Sequence, residues 1–256
     1  MLDFLVIGAQ KAGTTWLNRK LGKHHEKISF PGGKEVHFWD LFRERGKDWY
    51  VGLFSKPDCR LHGDMTPAYA VLPPEVIAEC HSLFPNLRLI YTIRDPAERA
   101  WSAAKMDALR AGMKIADVPD EWFLSHFRSA ESLARGDYET CIRNWLRFYR
   151  KEQLLILRFE EILNDPASYL GKCFNHLGLE TIYAHIDSCS AEAESEEDAE
   201  LRAKVREGSP EPLRPSLRPA LSELYDFKIR SLSEYLGEDF SAWLAWYDKQ
   251  AGQTLL

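Results

Sequence analysis

The feature that most constrains this sequence is a glycine-containing loop between an apolar run and a helical pattern. Phe4–Ile7 form the apolar run, and the loop Gly8-Ala-Gln-Lys-Ala-Gly-Thr-Thr-Trp16 follows it directly. Backbone N–H groups in such a loop point toward the space above the helix N-terminus, where they bind anions. The sequence therefore predicts a phosphate-like ligand at the end of its first strand.

This loop differs from the phosphate loop of nucleotide kinases, G-x-x-x-x-G-K-[ST], at the lysine position. Thr14 stands there, and the only lysine of the loop is Lys11. A kinase of that type places its lysine on the β- and γ-phosphates and needs an acidic metal partner on another strand. The sequence offers no clear candidate for that partner.

Strand-like runs alternate with helical patterns along the chain. The strand-like runs are Phe4–Ile7, Leu61–Gly63, Leu87–Ile93 and Leu154–Leu157. The helical patterns are Thr14–Leu21, Pro74–Phe84, Ala97–Leu109, Glu121–Ala134, Tyr138–Tyr149 and Pro166–Leu177. Such alternation is typical of a parallel sheet covered by helices. We predict a doubly wound α/β fold in a single domain that spans residues 1–256.

Two segments interrupt this alternation, and a periodic tail follows them. Ala111–Asp120 has the composition of a loop, and Ala191–Glu200 is an acidic run that is either a solvated helix or a mobile flap. From Leu213 to Trp246 the helical periodicity returns.

Composition and charge exclude several classes of protein. A net charge of −6 provides no basic stripe for nucleic acid. The five cysteines are scattered and form no C-x-x-C pair, which argues against a disulfide framework and a zinc site. No apolar run approaches the ~20 residues that span a bilayer, and the N-terminal run lacks the flanks of a signal peptide. We expect a cytoplasmic protein.

A second candidate anion-binding segment is Tyr91-Thr-Ile-Arg-Asp-Pro-Ala-Glu-Arg-Ala-Trp-Ser102. A strand ends there at Arg94 and a helix restarts at the proline, so Arg94 is expected at the carboxyl edge of the sheet, where ligands bind. Ser102 lies about two turns further on, at ~3.6 residues per turn. Arginine and a hydroxyl together can clamp a phosphate. The alternative is a surface arginine paired with Asp95 or Glu98.

A third segment, Lys34-Glu-Val-His-Phe-Trp-Asp40, contains a carboxylate and an imidazole two residues apart. Period-two alternation predicts that Glu35, His37 and Trp39 share one face of a strand. A carboxylate beside an imidazole can perform acid–base chemistry. The alternative is an edge strand with a solvated glutamate.

Together, the segments GAQKAGTTW, KEVHFWD and YTIRDPAERAWS resemble the sulfotransferases that depend on 3′-phosphoadenosine-5′-phosphosulfate (PAPS). They are most similar to the heparan-sulfate-type branch, which includes bacterial sulfotransferase-like proteins and has a K-E-x-H-F-[FW]-D segment after the phosphate loop. The resemblance extends to Asp64-Met-Thr-Pro-Ala-Tyr69, to YETCIRNWLRFY and to the tail, so it covers most of the chain. It implies the PAPS sulfotransferase fold, with a P-loop-like parallel sheet, and transfer of a sulfuryl group to a hydroxyl.

The resemblance also implies which residues bind PAPS. The residues that would hold the 5′-phosphosulfate are Lys11, Ala12, Gly13, Thr14 and Thr15, with Lys11 aimed at the bridging oxygen. Arg94 and Ser102 would hold the 3′-phosphate, and Trp16 would flank the adenine. Arg206 and Gly208 would be weak counterparts of the family's C-terminal cofactor loop.

By the same resemblance, Glu35 is the general base, and His37 orients it or lines the acceptor pocket. Asp64, Thr66 and Tyr69 would bind near the acceptor. Sulfuryl transfer runs in line through a loose transition state, so catalysis rests on positioning and on stabilising the leaving phosphate. Lysine would supply that charge, and we expect no metal site.

Two departures from the family pattern bear on the acceptor. Met65 stands where members acting on polyanionic glycans usually carry lysine, and residues 192–200 are acidic where those members have a basic loop. The negative charge of these acidic residues would repel a highly sulfated polymer. We expect a small or medium-sized acceptor with a hydroxyl, such as a glycoside, a lipid-like amphiphile or a polyketide-like molecule.

Two other functions use the same loop. The first is a metal-dependent kinase or NTPase, against which Thr14 argues. The second is a nucleotide-binding module without catalytic activity, against which the presence of both Lys11 and Glu35 argues.

Overall fold

The N-terminal apolar run forms the central strand of a parallel sheet in the computed structural model, which describes residues 1–56, 58–179 and 211–244. The strands are β1 (Leu2–Gly8), β2 (Ile28–Ser29), β3 (Leu61–Asp64), β4 (Arg88–Ile93) and β5 (Leu154–Arg158). Their order is β2-β3-β1-β4-β5, and every pairing is parallel. The side chains of Phe4–Ile7 are completely buried, as in a strand covered on both faces. The predicted α/β fold with a parallel sheet is confirmed.

Helices follow the strands, and several begin where the sequence predicts. They are α1 (Thr14–Gly22), α2 (Lys47–Leu53), α3 (Pro74–Leu83), α4 (Pro96–Arg110), α5 (Asp120–Arg128), α6 (Ala130–Arg135), α7 (Tyr138–Leu146), α8 (Phe159–Asn164), α9 (Pro166–Leu177) and α10 (Arg218–Leu236). A proline opens α4, and Asp95 caps it by accepting the N–H groups of residues 97 and 98. Within the described ranges, no helix has the length and apolar character needed to cross a bilayer.

The long helix predicted over Glu121–Ala134 is two helices, because the chain turns at Ser129. Its backbone is extended there, and its hydroxyl accepts the N–H of Ser132 at 3.2 Å, which caps α6. A serine inside an amphipathic pattern can therefore end one helix and start the next. The short helices α2 and α8 were not predicted.

The chain divides into two compact units. The first consists of Met1–Arg94 and Arg143–Gly208 and contains the whole sheet. The second consists of Asp95–Ile142 and Ser209–Leu256, in which α10 packs against α4 and α5. The buried residues of α10, Leu221, Tyr225, Ile229 and Leu232, recur at helical spacing, as the tail periodicity predicts. The single-domain assignment for residues 1–256 stays a prediction.

Candidate active site

The loop between β1 and α1 contains left-handed backbone at two positions. Lys11 has φ 68° and Gly13 has φ 82°. A Cβ at Gly13 would lie 2.6 Å from the Cδ1 of Ile162, so any other residue there would displace this side chain of α8 as well as strain the backbone. Gly13 is the N-cap of α1, whose first N–H groups have no partner within the helix. The loop therefore has the backbone form of an anion-binding cradle.

The side chains that begin α1 differ in exposure. Ala12, Thr14 and Trp16 are buried, whereas Thr15 is exposed. The Trp16 ring packs edge-on against Tyr169, with ring centroids 5.7 Å apart. This position argues against the predicted contact between Trp16 and adenine, because the ring is part of the core beneath the loop.

Arg94 joins the end of β4 to the loop. Its Nη1 donates a hydrogen bond to the carbonyl oxygen of Lys11 at 3.2 Å, although the two residues are 83 positions apart. Its guanidinium lies 4.5 Å from the centre of the Phe159 ring, an arrangement that restricts the side chain. The structure therefore brings together Lys11 and Arg94, two of the predicted anion-binding residues.

For three other residues predicted to bind the cofactor, the described part of the chain shows no comparable contact that would test the prediction. Ser102 lies on α4 in the second unit, and its pairing with Arg94 stays a prediction. Arg206 and Gly208 lie outside the described residues.

Glu35 lies between two basic side chains. Its Oε1 is 2.5 Å from Lys34 Nζ, and its Oε2 is 3.2 Å from His37 Nε2. Partial burial raises the pKa of the Glu35 carboxyl, but the hydrogen bonds and charges of Lys34 and His37 outweigh burial and lower it overall. The Glu35 side chain is 35% exposed to solvent, so an ionised carboxylate reaches the surface.

His37 is itself held by a second carboxylate. Its Nδ1 lies 2.8 Å from Asp40 Oδ2. Lys34 and Asp40 thus complete a row of alternating basic and acidic side chains with Glu35 and His37, and neither of them was predicted to belong to the site. Their adjacency in KEVHFWD was the available signal.

The strand predicted over Lys34-Glu-Val-His-Phe-Trp-Asp40 is wrong, because none of these residues belongs to a strand and the segment runs into turn residues at 38–41. We refer to residues 34–40 as the turn. His37 has φ 54°, and its carbonyl oxygen accepts the N–H groups of Leu41 and Phe42 at 3.0 and 2.9 Å. Glu35 and His37 are still neighbours, but Trp39 is buried in the core and does not share their face. A left-handed residue within the segment abolishes period-two alternation.

A buried cluster lies beneath this turn, and we call Asp64, Thr66 and Tyr69 the hydroxyl anchor. Thr66 Oγ1 accepts the N–H groups of residues 36 and 37 at 3.0 and 3.3 Å. Tyr69 Oη accepts those of residues 38 and 39 at 2.9 and 3.4 Å. Asp64 accepts both hydroxyl protons, at 2.6 Å from Thr66 and 3.0 Å from Tyr69, and also the Tyr50 hydroxyl at 2.8 Å.

The anchor residues were predicted to bind near the acceptor, yet all three side chains are completely buried. Their polar atoms contact each other and the backbone of the turn. Burial raises the pKa of Asp64 to about 6, against the hydrogen bonds of Thr66, Tyr50 and Tyr69, which lower it. The structure therefore favours an internal role for this cluster.

In the part of the chain that the structure describes, no group of three or more His, Cys, Asp or Glu side chains could hold a metal ion.

Most of the chain matches a known protein family. Residues 2–232 match the family model described as the sulfotransferase domain. Heparan sulfate glucosamine 3-O-sulfotransferase 6 of Mus musculus is 31% identical over 187 residues, covering 70% of this chain and 52% of that protein. Heparan sulfate glucosamine 3-O-sulfotransferase 3B1 of Homo sapiens is 30% identical over 187 residues, covering 70% and 46%. The chain thus spans about half the length of the curated relatives it matches.

Solved structures of similar fold are sulfotransferases. A sulfotransferase from Alicyclobacillus acidocaldarius superposes with a TM-score of 0.71 at 21% identity, over 95% of this chain and 98% of that chain. Mouse sulfotransferase SULT7A1 complexed with PAP gives a TM-score of 0.56 at 18% identity, over 91% and 89%. At these identities the likeness shows the fold.

Proposed function

Because this chain belongs to the sulfotransferase domain family, we propose that it transfers the sulfuryl group of PAPS to a hydroxyl of a small or medium-sized acceptor. The observation that carries this proposal is the contact between Arg94 and the Lys11 carbonyl at the glycine loop. It brings the Arg94 guanidinium to the backbone of the loop that carries Lys11, directly before the N–H groups that begin α1. A donor with phosphate groups at two positions matches that set of cations and N–H donors.

The residues of the loop fit such a donor. Gly13 has left-handed backbone at the N-cap of α1, the form in which the first N–H groups of the helix are left to bind a phosphate. PAPS would supply the sulfuryl group, and 3′-phosphoadenosine-5′-phosphate (PAP) would leave. Lys11 and the loop N–H groups would stabilise negative charge on the leaving phosphate, and Arg94 would bind the 3′-phosphate.

Glu35 would act as the general base. Its carboxylate is ionised and exposed, so it can accept the proton of an acceptor hydroxyl as the oxygen attacks sulfur. Lys34 and His37 hold the two carboxylate oxygens, which fixes the direction in which the base faces. His37 in turn is oriented by Asp40.

The acceptor proposal rests on Met65. Its side chain is buried, and its N–H donates to the carbonyl oxygen of Lys34 at 3.2 Å, so this position gives the site no surface cation. We therefore favour a glycoside or an amphiphile with a hydroxyl over a highly sulfated polymer, although the relatives above are named for heparan sulfate. A cytoplasmic location stays a prediction.

Thermal unfolding with two nucleotides tests the donor assignment. PAP should raise the melting temperature far more than AMP, because only PAP carries a 3′-phosphate for Arg94; ligand at 100 times its Kd adds about 2.7 kcal/mol. Arg94→Ala should erase the difference. Arg88→Ala, at the opposite end of β4, should preserve it.

Equal shifts with PAP and AMP in the wild-type protein would contradict the assignment of Arg94. A magnesium requirement together with ATP turnover would favour the kinase alternative instead.

A further inference from the structure

The hydroxyl anchor has a fixed direction of hydrogen bonding. Each hydroxyl has one proton to donate and two lone pairs that accept. An ionised carboxylate only accepts, so the protons of Thr66 and Tyr69 both point to Asp64, at 2.6 and 3.0 Å. The lone pairs of both hydroxyls are left for backbone N–H groups.

Those lone pairs are used by one stretch of backbone. Residues 36–39 donate four consecutive N–H groups to the two hydroxyls, at 2.9 to 3.4 Å. In a strand these groups would alternate between two sides, whereas here they converge on two atoms. The stretch begins next to Glu35 and includes His37, so the anchor sets the backbone from which both side chains project.

We propose that Asp64, Thr66 and Tyr69 are positioning residues that hold Glu35 and His37 in place for proton transfer, and that they do not bind the acceptor. This inference rests on the proposed function, in which Glu35 is the base. Displacing a catalytic group by about 1 Å can cost about 10²-fold in rate, so a fixed backbone at this turn has catalytic value. Complete burial of all three side chains separates this role from acceptor binding.

Only a carboxylate completes the anchor. Asparagine at position 64 would bring an NH₂ group that must donate, so one hydroxyl would have to accept from it and turn its own proton toward the backbone N–H groups. Two donors would then face each other in a buried site, which is costly. The raised pKa of Asp64, about 6, still leaves it ionised at neutral pH.

Tyr50 provides a matched comparison within the same cluster. Its hydroxyl also donates to Asp64, at 2.8 Å, and it is as buried as Tyr69. Among the described residues, its hydroxyl accepts no N–H group of the turn. Its ring stacks on Phe38 with centroids 4.6 Å apart, a contact that phenylalanine would keep. Tyr50→Phe and Tyr69→Phe therefore each remove one hydroxyl from the same network, but only Tyr69→Phe removes the acceptor of two N–H groups of the turn.

Hydrogen–deuterium exchange of the full chain tests the anchor without any acceptor. Peptides covering residues 34–41 should exchange at least about tenfold faster in Tyr69→Phe than in wild type, because two N–H groups lose their acceptor. Tyr50→Phe should exchange these amides at the wild-type rate. Equal acceleration in both variants, or in neither, would overturn the anchor.

Release of PAP from PAPS, with water as the acceptor, tests the positioning role. Tyr69→Phe should lower kcat by about 10- to 100-fold while the thermal shift with PAP is unchanged. Tyr50→Phe should keep kcat within about twofold. A Tyr69→Phe protein that loses protection at residues 38 and 39 but keeps its kcat would overturn the positioning role.

The failure of the proposed function is distinguishable from the failure of the anchor. Wild-type protein that neither binds PAP nor releases it from PAPS would overturn the proposed function and the positioning role with it. The exchange comparison would still decide whether the anchor holds the turn.

Discussion

Two different neighbours hold the Glu35 carboxylate. Lys34 and His37 each hold one of its oxygens, and together they keep its pKa below the usual range even though partial burial opposes them. A base of low pKa is ionised throughout the neutral range. If Glu35 is the general base that we propose, its contribution to the rate would come from its position against the acceptor hydroxyl more than from its basicity.

Glu35→Gln is the residue-scale test of this role. Glutamine keeps the size and hydrogen-bonding shape but cannot take a proton, so kcat should fall by about 10²- to 10⁴-fold while the PAP-dependent thermal shift is unchanged. Lys11→Ala should damage cofactor binding and turnover together. Steady-state kinetics and thermal unfolding give the two quantities.

Glu79→Gln is the control for this experiment. Glu79 also pairs with two basic side chains, Arg43 and Lys47, but it lies on α3. Within the described residues, it forms no ion pair with a residue of the candidate site. Its effect on stability should stay within about 0.5 kcal/mol, with normal kcat. Normal kcat in Glu35→Gln would remove Glu35 from the mechanism and make His37 the next candidate base.

At this scale the sequence predicts residue types better than contacts. Lys11 and Arg94 were predicted as anion ligands and lie together, because both follow the carboxyl ends of neighbouring strands. The buried positions of Trp16 and Trp39 could not be predicted, since an aromatic residue serves equally well in a core or against a ligand.

Among the elements, the loop after β1 was predictable because its glycine spacing is a local property. The turn over residues 34–40 was not. Its N–H groups find partners on Thr66 and Tyr69, about thirty positions along the chain. Alternation within seven residues carries no information about such distant partners.

Gly13→Ala tests how closely the loop after β1 packs against α8. The new Cβ would meet both a left-handed backbone and the Ile162 side chain at 2.6 Å, so the free energy of unfolding should fall by about 2 to 4 kcal/mol. Gly237→Ala is the control, with φ 66° and no atom within 4 Å of the new Cβ, and should cost about 1 kcal/mol. Urea unfolding measures both, and equal losses would show that α8 yields to the added methyl group.

For the whole molecule, the parallel sheet was predictable because alternation of strand and helix patterns extends over the chain. The division into two units was not predicted. Its first boundary falls between Arg94 and Asp95, inside a continuous motif where no change of composition marks it.

The stability of the whole molecule should depend on Asp64. Its pKa is raised from 3.8 to about 6, so the folded state binds this proton more tightly than the unfolded chain does. The resulting stability is present below pH 3.8 and is lost as pH rises through about 6, a total of about 3 kcal/mol at about 1.36 kcal/mol per pKa unit.

Comparison of wild type with Asp64→Asn over pH isolates this contribution. The difference in unfolding free energy between the two proteins should move in favour of Asp64→Asn as pH rises from about 4 to about 7, and then stay constant. Urea unfolding at several pH values measures it. A difference that does not vary with pH would mean that Asp64 titrates normally.

The turn that carries Glu35 is not a self-contained motif. Its backbone is held by the hydroxyls of Thr66 and Tyr69, which in turn donate to the Asp64 carboxylate, and all three lie on another stretch of the chain. Grafting KEVHFWD alone onto a different scaffold would transplant Glu35 and His37 without the two hydroxyls that bind the backbone N–H groups between and beside them. An engineer would have to move Asp64-Met-Thr-Pro-Ala-Tyr69 with it, and in natural variants these two segments are expected to change together or not at all.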